Sequence, residues 1–345
     1  MAAFPVPATR RPRAAVPALL LVVLLLAGCA AAGGASPSVA PATPNPTVAP
    51  TATPPAFPVT VTDDDGTAVA IAAAPSKIVS LTPAATEIVY AIGAGSKVVA
   101  KVEDLANYPP AAASIPVVAT FKGVDVEKIV SLGANLVISG GANFGQGDAV
   151  EQLRRANVPV LVVGPTTTSG VLTDIRFIGQ ATGDSTSANA LADSMATAFA
   201  TIKTATAGIA HPKVFYEIDA SGAIYTAAKG SFLEELLDLA GADPVTTGSA
   251  AAYDIPLETL VTANPTLILL GDAMYGSTVG VTADQVKARP GWGTIAAVQT
   301  GSIRPVDDVV ITRPGPRLVD GLLALLKAIH PELVVPSFPP IPVAP

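Results

Sequence analysis

Two stretches of the chain repeat one pattern of apolar and polar positions. Val124–Ile138 (VDVEKIVSLGANLVI) reads as a short amphipathic helix running into a buried strand. Asp125 is a good N-cap, Ile129, Val130 and Leu132 form the apolar stripe, Gly133 stops the helix, and Leu136–Ile138 is an apolar run of strand length. The pattern returns 131 residues later at Ile255–Leu270 (IPLETLVTANPTLILL). There Pro256 sits at the helix start, Leu260 and Val261 fill the stripe, Asn264-Pro265 ends it, and Leu267–Leu270 is the strand. Glu127 and Glu258 occupy matching places in the two first turns, where a carboxylate complements the helix dipole. The separation is too long for a solenoid unit. It points to two similar α/β lobes, each presenting one glutamate.

The rest of the chain alternates in the same way. Val59–Thr62 and Val69–Ile71 flank an Asp65-Gly66 turn and predict a hairpin. Lys77–Ser80 is the first core strand, followed by Thr82 as the cap of a helix whose first residue is Pro83. Val98–Val102, Val117-Val118, Leu136–Ile138 and Val160–Val163 are further strands. Asp184–Thr206 reads as one long helix, with Leu191, Met195, Phe199 and Ile202 on a single stripe. At 1.5 Å per residue it spans about 33 Å, the width of a small domain. Lying between the two repeats, it is expected to be a rigid connector. A second series follows: Lys213–Tyr216, Ile224–Thr226, helix Phe232–Leu239, strands Leu267–Leu270 and Ile303–Val306, and helix Pro316–Ile329. Strands alternating with helices imply mostly parallel sheets covered on both faces. The expected fold is α/β: two lobes with mostly parallel sheets joined by one long α-helix. The expected boundaries are 59–183 and 207–331 for the lobes and 184–206 for the connecting helix.

The N-terminus changes the picture. Residues 1–28 combine Arg10, Arg11 and Arg13, the apolar run Ala18–Leu26 and small residues before Cys29, the layout of a secretory signal. Leu26-Ala27-Gly28-Cys29 resembles a lipobox, and Cys29 is the chain's only cysteine. Residues 29–58 are rich in Pro, Ala and Thr; Ala30–Pro58 holds eight prolines and no charge, the composition of an extended tether. Residues 332–345 are a Pro-rich tail. These features predict a protein lipid-anchored at the cell membrane through Cys29, facing the periplasm or the cell exterior. Without the three signal arginines the chain has 17 basic against 27 acidic residues, a net charge of −10. So acidic a body argues against nucleic acid as a partner. Disulfides and thiolate metal sites are excluded by the single cysteine.

Catalytic machinery is not evident. His211 and His330, the only histidines, each precede proline at an expected helix end and read as structural. There is no G-x-S-x-G elbow, and Gly140–Gly147 (GGANFGQG) lacks the lysine of a phosphate loop. A loop after a strand is nevertheless where an open α/β sheet binds ligands. No catalytic residue, resident metal or cofactor is expected.

Several motifs resemble the iron-chelate and cobalamin class of ABC-importer substrate-binding proteins. They are Lys77–Gly95 (KIVSLTPAATEIVYAIGAG), Asn107-Tyr108-Pro109-Pro110, Thr120-Phe121-Lys122-Gly123, Val126-Glu127-Lys128-Ile129 and Arg313-Pro314-Gly315-Pro316-Arg317. The resemblance covers about Val59 to Glu332. It implies two Rossmann-like lobes with the ligand cleft between them, in a monomeric carrier that passes a metal chelate to an ABC permease and its ATPase. Glu127 and Glu258 match the glutamates that dock on permease arginines. Phe121 falls where relatives place a tryptophan against the ligand, with Tyr108 nearby; Tyr225 and Tyr253 match aromatics of the second lobe. Arg313 and Asp308 match a polar pair at the cleft floor. Thr82, Lys122, Asn143 and Phe144 complete the expected ligand-binding set. Core packing is the competing role for each aromatic, as a helix-end salt bridge is for Arg313. Gly140 stands where a second tryptophan is expected, which leaves corrinoid, ferric siderophore and haem open, corrinoid preferred. A sensing protein or an exported hydrolase on the same scaffold is the alternative.

Overall fold

In the computed structural model, which describes residues 57–275, 278–334 and 338, the apolar runs become buried strands. β1 (Val59–Thr62) and β2 (Ala68–Ile71) pair as an antiparallel hairpin whose Val61, Val69 and Ile71 face the core. The first sheet has the order β6-β5-β4-β3-β7-β8. Its strands are β3 (Ile78–Ser80), β4 (Val98–Val102), β5 (Val117–Thr120), β6 (Gly123–Val124), β7 (Leu136–Ser139) and β8 (Val160–Val162). All pairs are parallel except the short edge strand β6, which is antiparallel to β5. The second sheet contains β9 (Lys213–Glu217), β10 (Asp243–Val245) and β11 (Leu267–Leu270). A small ribbon of β12 (Met274–Tyr275) and β13 (Thr278–Val279) stands apart, and β14 (Ile303–Pro305) completes the all-parallel order β10-β9-β11-β14. β7 and β11 are buried at every position, as strands covered on both faces must be.

Helices cover these sheets. α1 (Pro83–Ala91), α2 (Val126–Ser131), α3 (Gly147–Arg155) and α4 (Thr168–Thr182) belong to the first half, followed by α5 (Ser185–Thr206). α6 (Phe232–Leu239), α7 (Leu257–Ala263), α8 (Ala283–Lys287), α9 (Ala296–Thr300), α10 (Asp308–Ile311) and α11 (Leu318–Ile329) follow in the second. The sequence signals act as expected. Thr82 caps α1 by accepting from the Ala85 N–H, Asp125 caps α2 through the Lys128 N–H, and Asn264 ends α7 in the left-handed region at φ 49°. The repeated unit is therefore α2–β7 in one lobe and α7–β11 in the other.

Three local expectations differ. In α2 only Ile129 is buried while Val130 is exposed, and in α7 only Leu260 is buried. A helix of fewer than two turns can turn just one position fully onto its sheet. Ile224–Thr226 is not a strand: Tyr225 makes isolated antiparallel bridges to Asp219 and Asp254. The long helix α5 is also more than a connector. Its Leu191, Met195, Phe199 and Ile202 sit in one apolar cluster that contains Ile78 and Ile88 of the first lobe and Tyr216 and Leu322 of the second. α4 and α5 approach so closely that a Cβ at Gly179 would lie 2.2 Å from the Ala188 Cβ. Such packing resists sliding, so the lobes are joined through a shared core. The signal segment, Cys29 and most of the tether and tail lie outside the described residues.

Candidate functional site

The order of the first sheet reverses between β3 and β7, and ligands bind in the crevice at such a switch point. Two loops leave the sheet there, Leu81-Thr82 after β3 and Gly140–Gln146 after β7. The buried Gln146 amide ties them together. Its Oε1 accepts from Ser139 Oγ at 2.7 Å and from the Gly140 N–H at 3.1 Å, while its Nε2 donates to Leu81 O at 2.7 Å. Gly140 is then required for a steric reason. A Cβ there would lie 2.4 Å from Phe144 Cδ2, so the ring of Phe144 covers the place a side chain at 140 would take. The aromatic absent from position 140 is supplied from Phe144.

Phe144 and Asn143 form one wall of a cleft of about 570 Å³ that runs between the lobes. Pro165 and Thr166 extend that wall, and Lys229, Phe232 and Tyr253 face them, with Thr312 and Pro314 also lining. A smaller pocket of about 200 Å³ adjoins it, sharing Phe144, Pro165, Thr312 and Pro314 and adding Thr82, Ile88, Asp174 and Arg313. Of the residues singled out in the sequence, Asn143, Phe144 and Tyr253 line the cleft, and Thr82, Phe144 and Arg313 line the pocket.

The cations at this site are already paired. Arg313 Nη1 donates to Glu87 Oε1 and Asp104 Oδ2, both at 3.0 Å, and its Nη2 reaches Asp104 Oδ1 at 2.5 Å. Arg317 donates to the same Glu87 through Nε at 3.0 Å and Nη2 at 2.7 Å, and its guanidinium stacks 3.8 Å over the Tyr108 ring. Lys229 pairs with Glu234 at 2.7 Å. Burial works to raise Asp104, yet the hydrogen bonds and charge of Arg313 outweigh it and hold that carboxyl below its ordinary value.

The expected Asp308–Arg313 pair is corrected by this geometry. Asp308 accepts instead from the Tyr216 hydroxyl at 2.7 Å and from Thr312 Oγ1 at 3.0 Å. Arg313 is drawn across to the first lobe because two almost fully buried carboxylates, Glu87 and Asp104, need its charge more than a carboxyl already holding two hydroxyl donors. Tyr108 likewise serves as the platform for Arg317 and lies outside the cleft lining.

Phe121 and Lys122 occupy the turn between β5 and β6, at the same carboxyl end of the sheet as Phe144. The Phe121 ring is 91% exposed, with Lys122 Nζ 5.6 Å from its centroid. Tyr225 is 41% exposed and bridges to Asp254, next to Tyr253. Glu127 and Glu258 are exposed in the first turns of α2 and α7, shortly after Phe121 and Tyr253 respectively. Sequence reasoning missed Glu87, Asp104, Arg317, Gln146 and Asp174. One signal was present: Glu87 is the sole charge between Lys77 and Lys97, in an otherwise uncharged helix. The others become visible only when distant loops meet. Among the described residues no group of three His, Cys, Asp or Glu is placed to hold a metal ion.

Residues 78–309 match the family model for periplasmic binding proteins. The uncharacterized ABC transporter substrate-binding lipoprotein YvrC of Bacillus subtilis is 34% identical over 320 residues, covering 91% of this chain and 96% of that one. A cobalamin-binding protein of Halobacterium salinarum is 28% identical over 287 residues, 79% of this chain and 74% of its own. Among solved structures, the periplasmic vitamin B12 binding protein BtuF of Vibrio cholerae aligns with a TM-score of 0.63 at 22% identity, covering 74% of this chain and 96% of that one; this likeness concerns the fold. The chain thus belongs to the periplasmic binding protein family and is the substrate-binding component of an ABC importer, a carrier and not an enzyme.

Proposed function

We propose that the cleft captures a corrinoid such as cobalamin and that the loaded, monomeric protein delivers it to an ABC permease. Glu127 and Glu258 dock on that permease, and a lipid on Cys29 holds the protein at the membrane. The observation that carries the ligand class is the charge state of the cleft. The two cations that line the cleft and its adjoining pocket, Lys229 and Arg313 respectively, are each neutralised by buried or half-buried carboxylates. Haem brings two carboxylates and many ferric siderophores are anionic, so both favour free arginine or lysine. A corrinoid offers a broad apolar ring edged with neutral amides. That suits walls of Phe144, Phe232, Tyr253 and proline with hydroxyl and backbone partners. The cobalamin-binding relative supports the same class.

The docking proposal follows from placement. Each glutamate is exposed, stands in a first helical turn and follows an exposed aromatic at the ligand end of its lobe. Two carboxylates, one per lobe, fix orientation by charge pairing. The deciding experiment is calorimetry and absorbance titration of purified protein with cyanocobalamin, haem and a ferric hydroxamate. Cyanocobalamin should bind one to one. If it gives no heat while haem or the ferric hydroxamate binds, the corrinoid assignment is wrong.

A further inference from the structure

Asp174 is an unusual residue to find inside an apolar wall. It is 1% exposed on α4, and among the described residues neither carboxyl oxygen has a hydrogen-bond partner. Leaving a buried polar group unpaired forfeits its hydration with nothing in return, so such groups mark places where a partner is expected. Asp174 lines the 200 Å³ pocket beside the cleft, whose other walls are largely apolar: Pro83, Ala84, Ala85, Ile88 and Val163. We propose that this pocket is a subsite for a primary carboxamide arm of the cargo, with the Asp174 carboxyl as its two-point partner.

The charges around Asp174 select that chemistry. Asp64, on the β1–β2 turn, comes close enough for its carboxylate to raise Asp174 both by charge and by hydrogen bonding, although the two groups do not complete a well-aligned hydrogen bond. Asp65 on the same turn is exposed, and the other charged groups on neighbouring elements are engaged elsewhere, Asp63 by Arg154. Arg313 is held by Glu87 and Asp104, Glu87 also by Arg317, Arg176 by Asp193, and Glu235 accepts from Thr168. Burial first, and Asp64 second, push the Asp174 carboxyl up to about 8, so it is protonated at neutral pH. A protonated carboxyl offers one donor and one acceptor side by side, and a primary amide offers the complementary pair. A carboxylate arm would meet the Asp64 charge with no cation to offset it. The pocket is sized for one short arm, not for a ring. The inference rests on the corrinoid reading only for the owner of that arm.

The test uses propionamide, propionate and ethylammonium as small probes, followed by 1H–15N spectra of the purified protein, together with cyanocobalamin titrations. Propionamide should shift the Ala85, Val163 and Asp174 amides, fade as pH rises through about 8, and fail in Asp174→Leu; propionate should not shift them. Cyanocobalamin affinity should fall about tenfold or more in Asp174→Leu and be largely rescued in Asp174→Asn, which keeps a donor and an acceptor. Shifts from ethylammonium that strengthen as pH rises would overturn the carboxamide assignment. Silence from propionamide, with unchanged cyanocobalamin affinity in Asp174→Leu, would overturn the subsite while leaving the corrinoid reading intact. Propionamide shifts in a protein that ignores cyanocobalamin would uphold the subsite and refute the cargo.

Discussion

Replacing Arg313 by alanine removes the guanidinium through which the second lobe reaches two carboxylates of the first. Arg313 is 17% exposed, against 1% for Glu87 and 4% for Asp104, so the group is screened little by solvent. Removing one partner of a buried ion pair costs about 3–5 kcal/mol, because a buried charge is left uncompensated. The lower end of that range applies here. Glu87 keeps both bonds from Arg317, and Asp104 keeps the Ala106 and Tyr108 backbone N–H groups. The expected loss is therefore about 3 kcal/mol at pH 7. The pH dependence carries a sign. The folded-state pKa of Asp104 is lowered, so its contribution is fully present above the ordinary carboxylate range and is lost as pH falls through the folded value. The gap between wild type and Arg313→Ala should accordingly narrow in acid. Denaturant unfolding at pH 7 and at about pH 3, below the ordinary aspartate value, measures both quantities, with Arg313→Lys recovering only part because an ammonium cannot bridge two carboxylates in a fork. A loss below about 1 kcal/mol, or a gap that stays constant in acid, would refute the reasoning.

Charge reversal at both lobe tips, Glu127→Lys with Glu258→Lys, should abolish uptake in cells while purified protein binds ligand as before. Normal uptake, or lost binding, would show that these residues are not the docking pair. Phe121→Ala should leave the unfolding midpoint unchanged, since the ring is 91% exposed, but weaken cyanocobalamin binding by about 1–3 kcal/mol. Equal affinity by calorimetry would remove Phe121 from the site. Cys29→Ser should move the protein from the membrane to the soluble fraction on cell fractionation, and continued membrane association would refute lipidation.

What the sequence determined by itself is local and periodic. Helix starts at Thr82, Asp125 and Pro256, the stop at Asn264, and the buried runs Leu136–Ile138 and Leu267–Leu270 are properties of neighbouring residues, so they survive without knowledge of the partner surface. The two-lobe plan was legible for the same reason: the unit repeats. The tertiary structure alone decided which charges meet. Arg313 lies 209 residues from Asp104 and 226 from Glu87, and no spacing rule links them. A local neighbour, Asp308, was the natural expectation; burial made the distant carboxylates the stronger claimants. Gly140 and Phe144 show the same division at short range. The sequence placed a glycine and an aromatic in one loop, but only the folded loop lays the ring over the glycine. Asp174 sits on a helix face whose periodicity is ordinary. Its isolation arises because α1, the loop after β8 and the segment after α10 close around it, and burial is a property of that assembly.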